Sequence, residues 1–204
     1  MDRKIESFIQ WIYSLRGDIA SDEAIPAKPA RFGDWPALNA RLIEALRSRG
    51  IDRLYSHQSD AISRTLAGKN MVIATPTASG KSICYNIPVI QSILNDESSR
   101  ALYLFPTKAL SQDQLAELYA LIEEVGVQIL TFTYDGDTAP SARKKMRAAG
   151  HIVITNPDML HTGILPHHTK WVKLFENLRY VVLDELHTYR GIFGSHVANV
   201  IRRL

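Results

Sequence analysis

Residues 71–95, MVIATPTASGKSICYNIPVIQSILN, place a short β-rich run, a loop of small residues and a helical pattern directly after one another. Further apolar runs of strand length follow, separated by helical patterns or a predicted loop: ALYLF (101–105), VQILTFTY (127–134), HIVIT (151–155) and RYVVL (179–183). Apolar strands that alternate with helices are typical of a parallel sheet with helices on both faces. The sequence therefore predicts an α/β fold, with a loop between the last two strands.

Helical patterns also precede this region. Apolar residues recur at helical spacing from Ile5 to Leu15, which predicts an amphipathic helix over residues 2–16. Residues 18–36 contain three prolines and one glycine with little periodicity, so we expect an extended connection. Two more helical patterns follow before residue 70. We therefore divide the chain into an N-terminal helical extension and connection (1–36) and a main domain (37–204).

The composition is that of a folded protein. With 204 residues, of which 46% are hydrophobic and 22% charged, the chain can bury one substantial core. The net charge of +3 suits a polyanionic partner without establishing one. The single cysteine, Cys84, cannot form an internal disulfide, and the N-terminus lacks the continuous apolar run of a signal peptide or membrane span. We therefore expect a cytoplasmic protein that does not bind membranes.

The loop TPTASGKS (75–82) has the residues of a phosphate-binding loop. Small residues allow successive N–H groups and the helix N-terminus to face an anion, while Lys81 reaches the outer phosphates and Ser82 can bind magnesium. Thr75 and Ala78 stand where the usual pattern prefers glycine. A tight turn with a surface lysine is the alternative. We predict nucleotide binding by Thr77, Ala78, Ser79, Gly80, Lys81 and Ser82, with Lys81 also catalytic.

The run YVVLDELH (180–187) places acidic residues at the carboxyl end of a predicted strand, where ligands of α/β proteins bind. There Asp184 would hold the magnesium ion, and Glu185 would orient or deprotonate the water that attacks the γ-phosphate. Two adjacent acids that cap a strand and face solvent are the alternative. Together with the phosphate loop, the pair predicts a nucleoside-triphosphatase that uses ATP and Mg²⁺.

These two motifs together resemble the DExH-type helicases of superfamily two, and further matches follow in that family's order after Leu54. The resemblance implies a RecA-like P-loop domain. LYSHQSDAI (54–62) is similar to the family's adenine-reading segment, in which Gln58 would bond the adenine edge and Tyr55 would contact the base. His187 would couple the nucleotide state to the nucleic-acid strand; the alternative is that it caps the strand end.

Three more segments resemble the family's nucleic-acid-contacting motifs: FPTKALSQDQ (105–114), TYDGDT (133–138) and TNPDML (155–160). The expected contact residues are Pro106, Thr107, Lys108, Gly136, Thr155, Asn156 and Pro157. N–H groups and hydroxyls at such turns hold phosphates without reading sequence. The last two segments are also ordinary turn sequences. The basic run at residues 143–147 could follow a phosphate backbone or form a solvated helix face.

The closing run DELHTYRGIFGSHVANVIRRL (184–204) resembles the bacterial MrfA (YprA) helicases and their eukaryotic Hrq relatives. The resemblance implies an ATP-dependent DNA helicase of three-prime to five-prime polarity, active in DNA repair on single-stranded or forked DNA. A second RecA-like domain would complete its ATP site, so we expect the 204 residues alone to hydrolyse ATP slowly or not at all. The alternatives are a switch ATPase independent of nucleic acid, an RNA helicase domain and a non-catalytic module.

Overall fold

The computed structural model describes residues 3–15, 17, 29–76 and 79–204. The chain divides into two compact units, Met1–Ala30 and Arg31–Leu204. The first unit contains helix α1 (Arg3–Ser14), in agreement with the predicted N-terminal helix, and Phe8 stacks on Trp11 within it. Much of the predicted connection lies outside the described residues. No helix in the described part of the chain is long and apolar enough to cross a membrane.

The second unit is built on a parallel sheet. Its four strands are β3 (Arg100–Leu104), β4 (Thr131–Thr133), β5 (Ile152–Thr155) and β6 (Leu178–Leu183), in the order β4-β5-β3-β6. Every neighbouring pair is parallel. A separate antiparallel pair, β1 (Phe32–Gly33) and β2 (Leu54–Tyr55), was not predicted. The larger helices are α2 (Ala40–Ser48), α3 (Ser56–Leu66), α4 (Lys81–Asn95), α5 (Lys108–Val125), α6 (Pro140–Ala149) and α9 (Gly191–Ile201).

The two faces of the sheet carry two separate cores. Because side chains alternate along a strand, Ala101 and Tyr103 of β3 point to one face, and Leu102 and Leu104 point to the other. The first face packs against α2, α3, α4 and α5, and the second against α6, α9 and the segment between β5 and β6. Each fully buried leucine stabilises the fold by about 2 kcal/mol. The predicted α/β fold with helices on both faces is confirmed.

Two local predictions were wrong. Residues 71–75 were predicted to form a strand, but they form no ladder in the described part of the chain, and Val72 is 77% exposed. A strand needs a hydrogen-bonded neighbour, and apolar composition does not supply one. Residues 156–177 were predicted to form a loop, but they form successive short helical segments: α7 (Pro157–Met159), a π-helical turn (Leu160–Ile164), a 3₁₀ segment (Leu165–Lys170) and α8 (Val172–Glu176).

Candidate nucleotide site and nucleic-acid interface

The loop before α4 is held closed by its own lysine. Lys81 Nζ donates to the carbonyls of Thr75 and Pro76, at 3.2 and 3.0 Å. The hydroxyls of Thr75 and Ser79 lie 2.6 Å apart. These bonds keep the ammonium group at the N-terminus of α4, where the helix dipole and unpaired N–H groups favour an anion. A bound phosphate would compete with the two carbonyls for Lys81.

Gly80 begins α4 in a conformation that suits glycine. Its φ is +71°, and a Cβ at this position would lie 2.5 Å from the Gln58 side-chain nitrogen. A larger residue would be strained by the left-handed backbone and would have to displace the Gln58 amide. Thr77 and Ala78 lie outside the described residues, so their contacts with phosphate stay predictions.

Gln58 connects this loop to α3. Its Oε1 accepts from the Tyr55 N–H at 2.9 Å, and its Nε2 donates to the carbonyls of Ser79 and Gly80, at 3.4 and 3.1 Å. His57 Nε2 also lies 3.1 Å from the Ser79 carbonyl. Both ends of the Gln58 amide are therefore engaged within the protein. Its predicted bond to adenine stays a prediction, and the geometry shows that the residue links the loop to α3.

An aromatic stack lies beside Gln58. The Phe32 and Tyr55 rings are 5.4 Å apart and nearly parallel, and Tyr55 stacks on His57 at 5.8 Å. The Arg53 guanidinium lies 4.3 Å from the centre of the Phe32 ring. Phe32 was missed because it lies in a stretch with no periodicity. The pairing of β1 with β2 that brings it beside Tyr55 involves strands of only two residues, too short to leave a pattern.

Asp184 follows β6 at the carboxyl edge of the sheet. Its N–H donates to the carbonyl of Leu104, the last residue of β3, at 3.1 Å. Its carboxylate accepts from the Glu185 N–H at 2.8 Å and from the Tyr85 hydroxyl at 2.9 Å. Burial, and next the charge of Asp184, raise the pKa of Tyr85 well above its usual value, so this hydroxyl stays protonated. Asp184 is therefore fixed from two sides.

Glu185 has an unusual backbone. Its φ of 50° is the only positive value among the described residues that are not glycine. This left-handed conformation costs an ordinary residue about 1 kcal/mol, and such strain occurs preferentially at functional sites. The Glu185 carboxylate lies 3.1 Å from His187 Nδ1. His187 thus contacts the predicted catalytic acid, while its predicted coupling role stays a prediction.

The groups predicted to bind magnesium are oxygens, which Mg²⁺ prefers. Ser82 Oγ lies 3.3 Å from the Glu117 carboxylate, and Asp184 presents its carboxylate to Tyr85. No three His, Cys, Asp or Glu side chains form a metal site in the part of the chain that the structure describes. One hydroxyl and one carboxylate fit a magnesium ion that takes its remaining ligands from phosphate and water.

The three predicted nucleic-acid motifs meet at a small cleft. They follow the carboxyl ends of β3, β4 and β5, which lie at one edge of a parallel sheet. The cleft includes four of the predicted contact residues, Thr107, Lys108, Thr155 and Asn156. It is lined by Thr107, Lys108, Ser111, Thr133, Tyr134, Asp135, Thr155 and Asn156. Gly136 is exposed next to it.

Two of the predicted contact side chains face inward. Thr155 was expected to offer backbone N–H groups or its hydroxyl to a phosphate; it is 4% exposed, and its hydroxyl donates to the Tyr134 carbonyl at 2.7 Å. Pro157 is also buried. Because β5 lies between β3 and β4, the side chains at its end are covered, and the predicted contacts of Thr155 and Pro157 with nucleic acid stay predictions. At these two positions a nucleic-acid strand could contact only backbone groups.

Lys108 is paired with two carboxylates. Its ammonium lies 2.6 Å from Asp137 and 3.1 Å from Asp135. The bonds from Asp137 and Asp135 raise the pKa of Lys108. With two acids around one lysine, the cleft has little positive charge of its own at this point. A phosphate that binds Lys108 would compete with these acids for its ammonium group.

Comparison with known proteins identifies the family. The sequence profile of the DEAD/DEAH box helicases matches residues 55–204. The chain belongs to this family. The matched DEAD/DEAH box region contains the phosphate loop, the acidic strand and all three loops of the cleft, whereas Phe32 lies before it.

This chain is similar to parts of longer proteins. It is 58% identical to the ATP-dependent helicase YprA of Bacillus subtilis, over 98% of this chain and 27% of the relative. It is 43% identical to the ATP-dependent helicase hrq1 of Schizosaccharomyces pombe, over 94% of this chain and 18% of the relative. The chain therefore spans about a quarter or less of these relatives' length. The predicted resemblance to YprA and Hrq proteins is confirmed.

A solved structure supports the same grouping. The crystal structure of DUF1998 helicase MrfA bound to DNA and AMPPNP matches the DEAD/DEAH box chain with a TM-score of 0.90 at 58% identity. The match covers 95% of this chain and 28% of that one. It confirms the predicted RecA-like fold.

Arg143, in the basic run of the DEAD/DEAH box domain, supports the turn at residues 135–138. Its guanidinium donates to the carbonyls of Thr138 at 2.7 Å, Gly136 at 3.2 Å and Asp135 at 3.3 Å. It also lies over the Tyr134 ring, 5.2 Å from its centre. Arg143 thus stabilises the wall of the cleft, whereas Lys144 and Lys145 of the same run are exposed.

We expect Arg143→Ala to weaken binding of single-stranded DNA about tenfold, because three charge-assisted bonds that shape the turn are lost. The slope of log affinity against log salt should stay unchanged, since no phosphate contact is removed. Fluorescence anisotropy at four salt concentrations measures both quantities. Lys144→Ala, on the same helix, is the matched control and should change affinity less than about twofold. A salt slope reduced by about one in Arg143→Ala would show instead that Arg143 binds a phosphate.

Proposed function

We propose that this DEAD/DEAH box domain is the ATP-binding motor domain of an ATP-dependent DNA helicase. The observation that carries the proposal is the shared edge of the sheet. The acidic residues after β6 and the three loops of the cleft all follow carboxyl ends of parallel strands, and the phosphate loop contacts α3 beside them. The similarity to MrfA, whose structure contains DNA and AMPPNP, supports both ligands. We extend the proposal to three-prime to five-prime movement, DNA repair and a cytoplasmic location.

At the nucleotide site we assign four roles. Lys81 would leave the Thr75 and Pro76 carbonyls to bind the outer phosphates, and Ser82 and Asp184 would hold Mg²⁺. A bound magnesium ion would supply positive charge to the phosphates as the γ-phosphate is transferred. Glu185 would accept a proton from the attacking water. Its contact with His187 gives that carboxylate a defined direction.

At the cleft, binding of a strand would be largely independent of base identity. Backbone groups around Gly136 and Asn156, with the N-terminus of α5 at Thr107, offer hydrogen bonds that phosphates accept at any sequence. Lys108 would add charge only when a phosphate displaces Asp135 or Asp137. Such contacts suit a protein that moves along DNA, because each step presents different bases.

For the whole protein we propose that residues 37–204 form the first RecA-like domain, preceded by the extension at 1–36. A second RecA-like domain of the longer polypeptide would supply arginines to the γ-phosphate, and such cations contribute strongly to phosphoryl transfer. The 204 residues alone should therefore bind ATP weakly and release phosphate slowly or not at all, with or without DNA.

Phe32 would stack on the adenine ring with Tyr55 behind it, in exchange for the Arg53 guanidinium that now lies over the Phe32 ring. We expect Phe32→Ala to weaken binding of a fluorescent ATP analogue about tenfold, because base–aromatic stacking contributes about 1–3 kcal/mol. Phe32→Trp should keep most of the affinity. Phe8→Ala, in the N-terminal unit, controls for loss of an exposed phenylalanine. If Phe32→Ala binds the analogue as tightly as the wild type does, Phe32 does not contact the adenine ring.

The proposed function is tested by phosphate release from the full-length protein with single-stranded DNA, with RNA or with no nucleic acid. Stimulation by DNA and directional displacement of a labelled strand would support the proposal. Stimulation by RNA alone would indicate an RNA helicase, and equal turnover under all three conditions would indicate a switch ATPase. Complete inability to bind ATP would indicate a non-catalytic module.

A further inference from the structure

Helix α5 contacts Ser82 directly and reaches Asp184 through Tyr85, and these are the two residues that are proposed to bind magnesium. Gln114 lies 3.0 Å from the Tyr85 hydroxyl, which in turn contacts Asp184, and Glu117 lies 3.3 Å from Ser82. Gln114 and Glu117 are three residues apart, so they share one face of the helix. One face of α5 thus reaches both ends of the proposed metal site.

The chemistry of the three groups fixes the direction of these bonds. A phenolic hydroxyl has a single proton, and an ionised carboxylate only accepts, so the proton of Tyr85 goes to Asp184. The Gln114 amide then serves Tyr85 best with its NH₂ turned toward the phenolic oxygen, and the two ends of an amide are assigned by such bonding. The structure places Gln114 Oε1 at the Tyr85 hydroxyl; with the amide turned, Gln114 donates to Tyr85, and Tyr85 donates to the Asp184 carboxylate.

The N-terminal end of α5 lies at the cleft. Thr107 caps the helix, accepting from the Leu110 N–H, and Lys108 begins it within reach of Asp135 and Asp137. At 1.5 Å per residue, Gln114 lies only about 10 Å along the helix from Thr107. A phosphate bound at the start of α5 is therefore two helical turns from the residue that contacts Tyr85.

The Tyr85 ring is held independently of its hydroxyl. It packs edge-on against Tyr103 with ring centres 5.5 Å apart, and the buried Tyr103 is itself bonded to Asn86 at 3.0 Å. Phenylalanine at position 85 would keep this packing and lose only the hydroxyl. The contribution of the hydroxyl can thus be measured without disturbing the core.

From these contacts we propose that Tyr85 is a positioning residue, whose hydroxyl holds the Asp184 carboxylate and connects it through Gln114 to α5. Binding of a nucleic-acid strand at the cleft and binding of magnesium are thereby linked. The inference rests on the proposed function, and it adds a residue and a connection to it. Because such linkage is reciprocal, a strand that shifts α5 strengthens Mg–nucleotide binding by the same factor by which Mg–nucleotide strengthens strand binding.

The first test is a magnesium titration of the full-length protein, with binding of a fluorescent non-hydrolysable ATP analogue as the readout. Tyr85→Phe should raise the magnesium concentration at half-effect about tenfold, because a hydrogen bond to a charged group is lost. Nucleotide affinity in EDTA should stay at the wild-type value, which a merely unfolded or loosened site would not allow.

Tyr119→Phe is the matched control. Tyr119 is on α5, the helix of Gln114 and Glu117, and its hydroxyl donates to the Thr131 carbonyl at 2.6 Å, away from the nucleotide site. This variant should titrate with magnesium as the wild type does. Equal magnesium dependence in Tyr85→Phe and the wild type would overturn the positioning role.

The second test measures nucleotide affinity with and without saturating single-stranded DNA in the presence of magnesium. The ratio of the two affinities should fall toward one in Tyr85→Phe and in Gln114→Leu. The double variant should resemble the single variants, because residues that act through one chain are not additive. Additive losses would show that the two residues act separately and would overturn the connection.

Failure of the inference and failure of the proposed function give different results. If the nucleotide affinity of the wild-type protein does not change when single-stranded DNA is added, the proposed function as a DNA-dependent motor is contradicted. A wild-type response to DNA that survives unchanged in Tyr85→Phe and Gln114→Leu overturns only the connection through α5.

Discussion

Glu185→Gln is expected to reduce phosphate release at least about 100-fold in a protein that contains both motor domains, while nucleotide binding persists. Glutamine keeps the shape of the side chain but cannot accept a proton from water, and general-base catalysis contributes about 10²–10⁴-fold. The backbone at position 185 is left-handed in either case, so the substitution adds no new strain. Steady-state phosphate release and a titration with a fluorescent ATP analogue measure the two properties separately.

Glu123→Gln is a matched control for this change. Glu123 is exposed near the C-terminal end of α5, so its loss of charge should leave turnover unchanged. If Glu185→Gln retained more than half of the wild-type turnover, the acid would be structural and another group would activate the water. If nucleotide binding were lost together with turnover, Glu185 would belong to the binding site and not to the chemical step.

Lys81→Ala is expected to weaken nucleotide binding about 100-fold. Lys81 is the cation closest in sequence to the proposed phosphate site, and a charge-assisted bond to phosphate contributes up to about 3 kcal/mol. The substitution also removes the bonds to Thr75 and Pro76 that keep the loop closed. Since a ligand that binds only the folded state stabilises it by RT ln(1 + c/Kd), where c is the free ligand concentration, thermal unfolding with and without Mg–ATP gives a direct readout of affinity.

Lys69→Ala provides the comparison for this variant, because Lys69 is an exposed lysine shortly before the loop. It should keep the full stabilisation by Mg–ATP. A Lys81→Ala protein that is stabilised by Mg–ATP as strongly as the wild type would show that the loop does not bind phosphate.

The sheet could be predicted because its strands are short, mostly apolar runs: β3 and β5 are buried on both faces, and the half-exposed edge strand β6 is still largely apolar. Residues 101–105, 151–155 and 179–183 were predicted as strands and coincide with β3, β5 and β6 to within a few residues. Residues 71–75 have the same composition, yet no partner strand pairs with them in the described part of the chain. Strand composition is a local property, whereas a ladder depends on what lies alongside.

The segment between β5 and β6 shows the opposite error. Its prolines and glycine suggested a loop, but Leu160, Ile164 and Trp171 are buried against the second face of the sheet. No regular periodicity marks these residues, because the segment changes helix type twice within about ten residues. Side chains that are buried by short turns of different helix type have no regular spacing in the sequence.

The site residues that lie within one sequence motif could be predicted, whereas contacts between residues far apart in the sequence could not. Lys81, Ser82, Asp184 and Glu185 could be proposed from local sequence and strand order alone. The contact of Tyr85 with Asp184 joins residues 99 positions apart, and Phe32 reaches Tyr55 through strands of two residues. The charge pairing of Lys108 with Asp135 and Asp137 likewise depends on how the segments after β3 and β4 fold together.

The left-handed backbone of Glu185 also bears on attempts to engineer this protein. Glycine is the residue that suits such a backbone, so Glu185→Gly should relieve about 1 kcal/mol of conformational strain. A screen that selects variants only by resistance to heat would therefore favour replacing the residue proposed to activate water. At this position improved thermostability and retained catalysis are opposed, and a screen for robust variants has to score turnover as well.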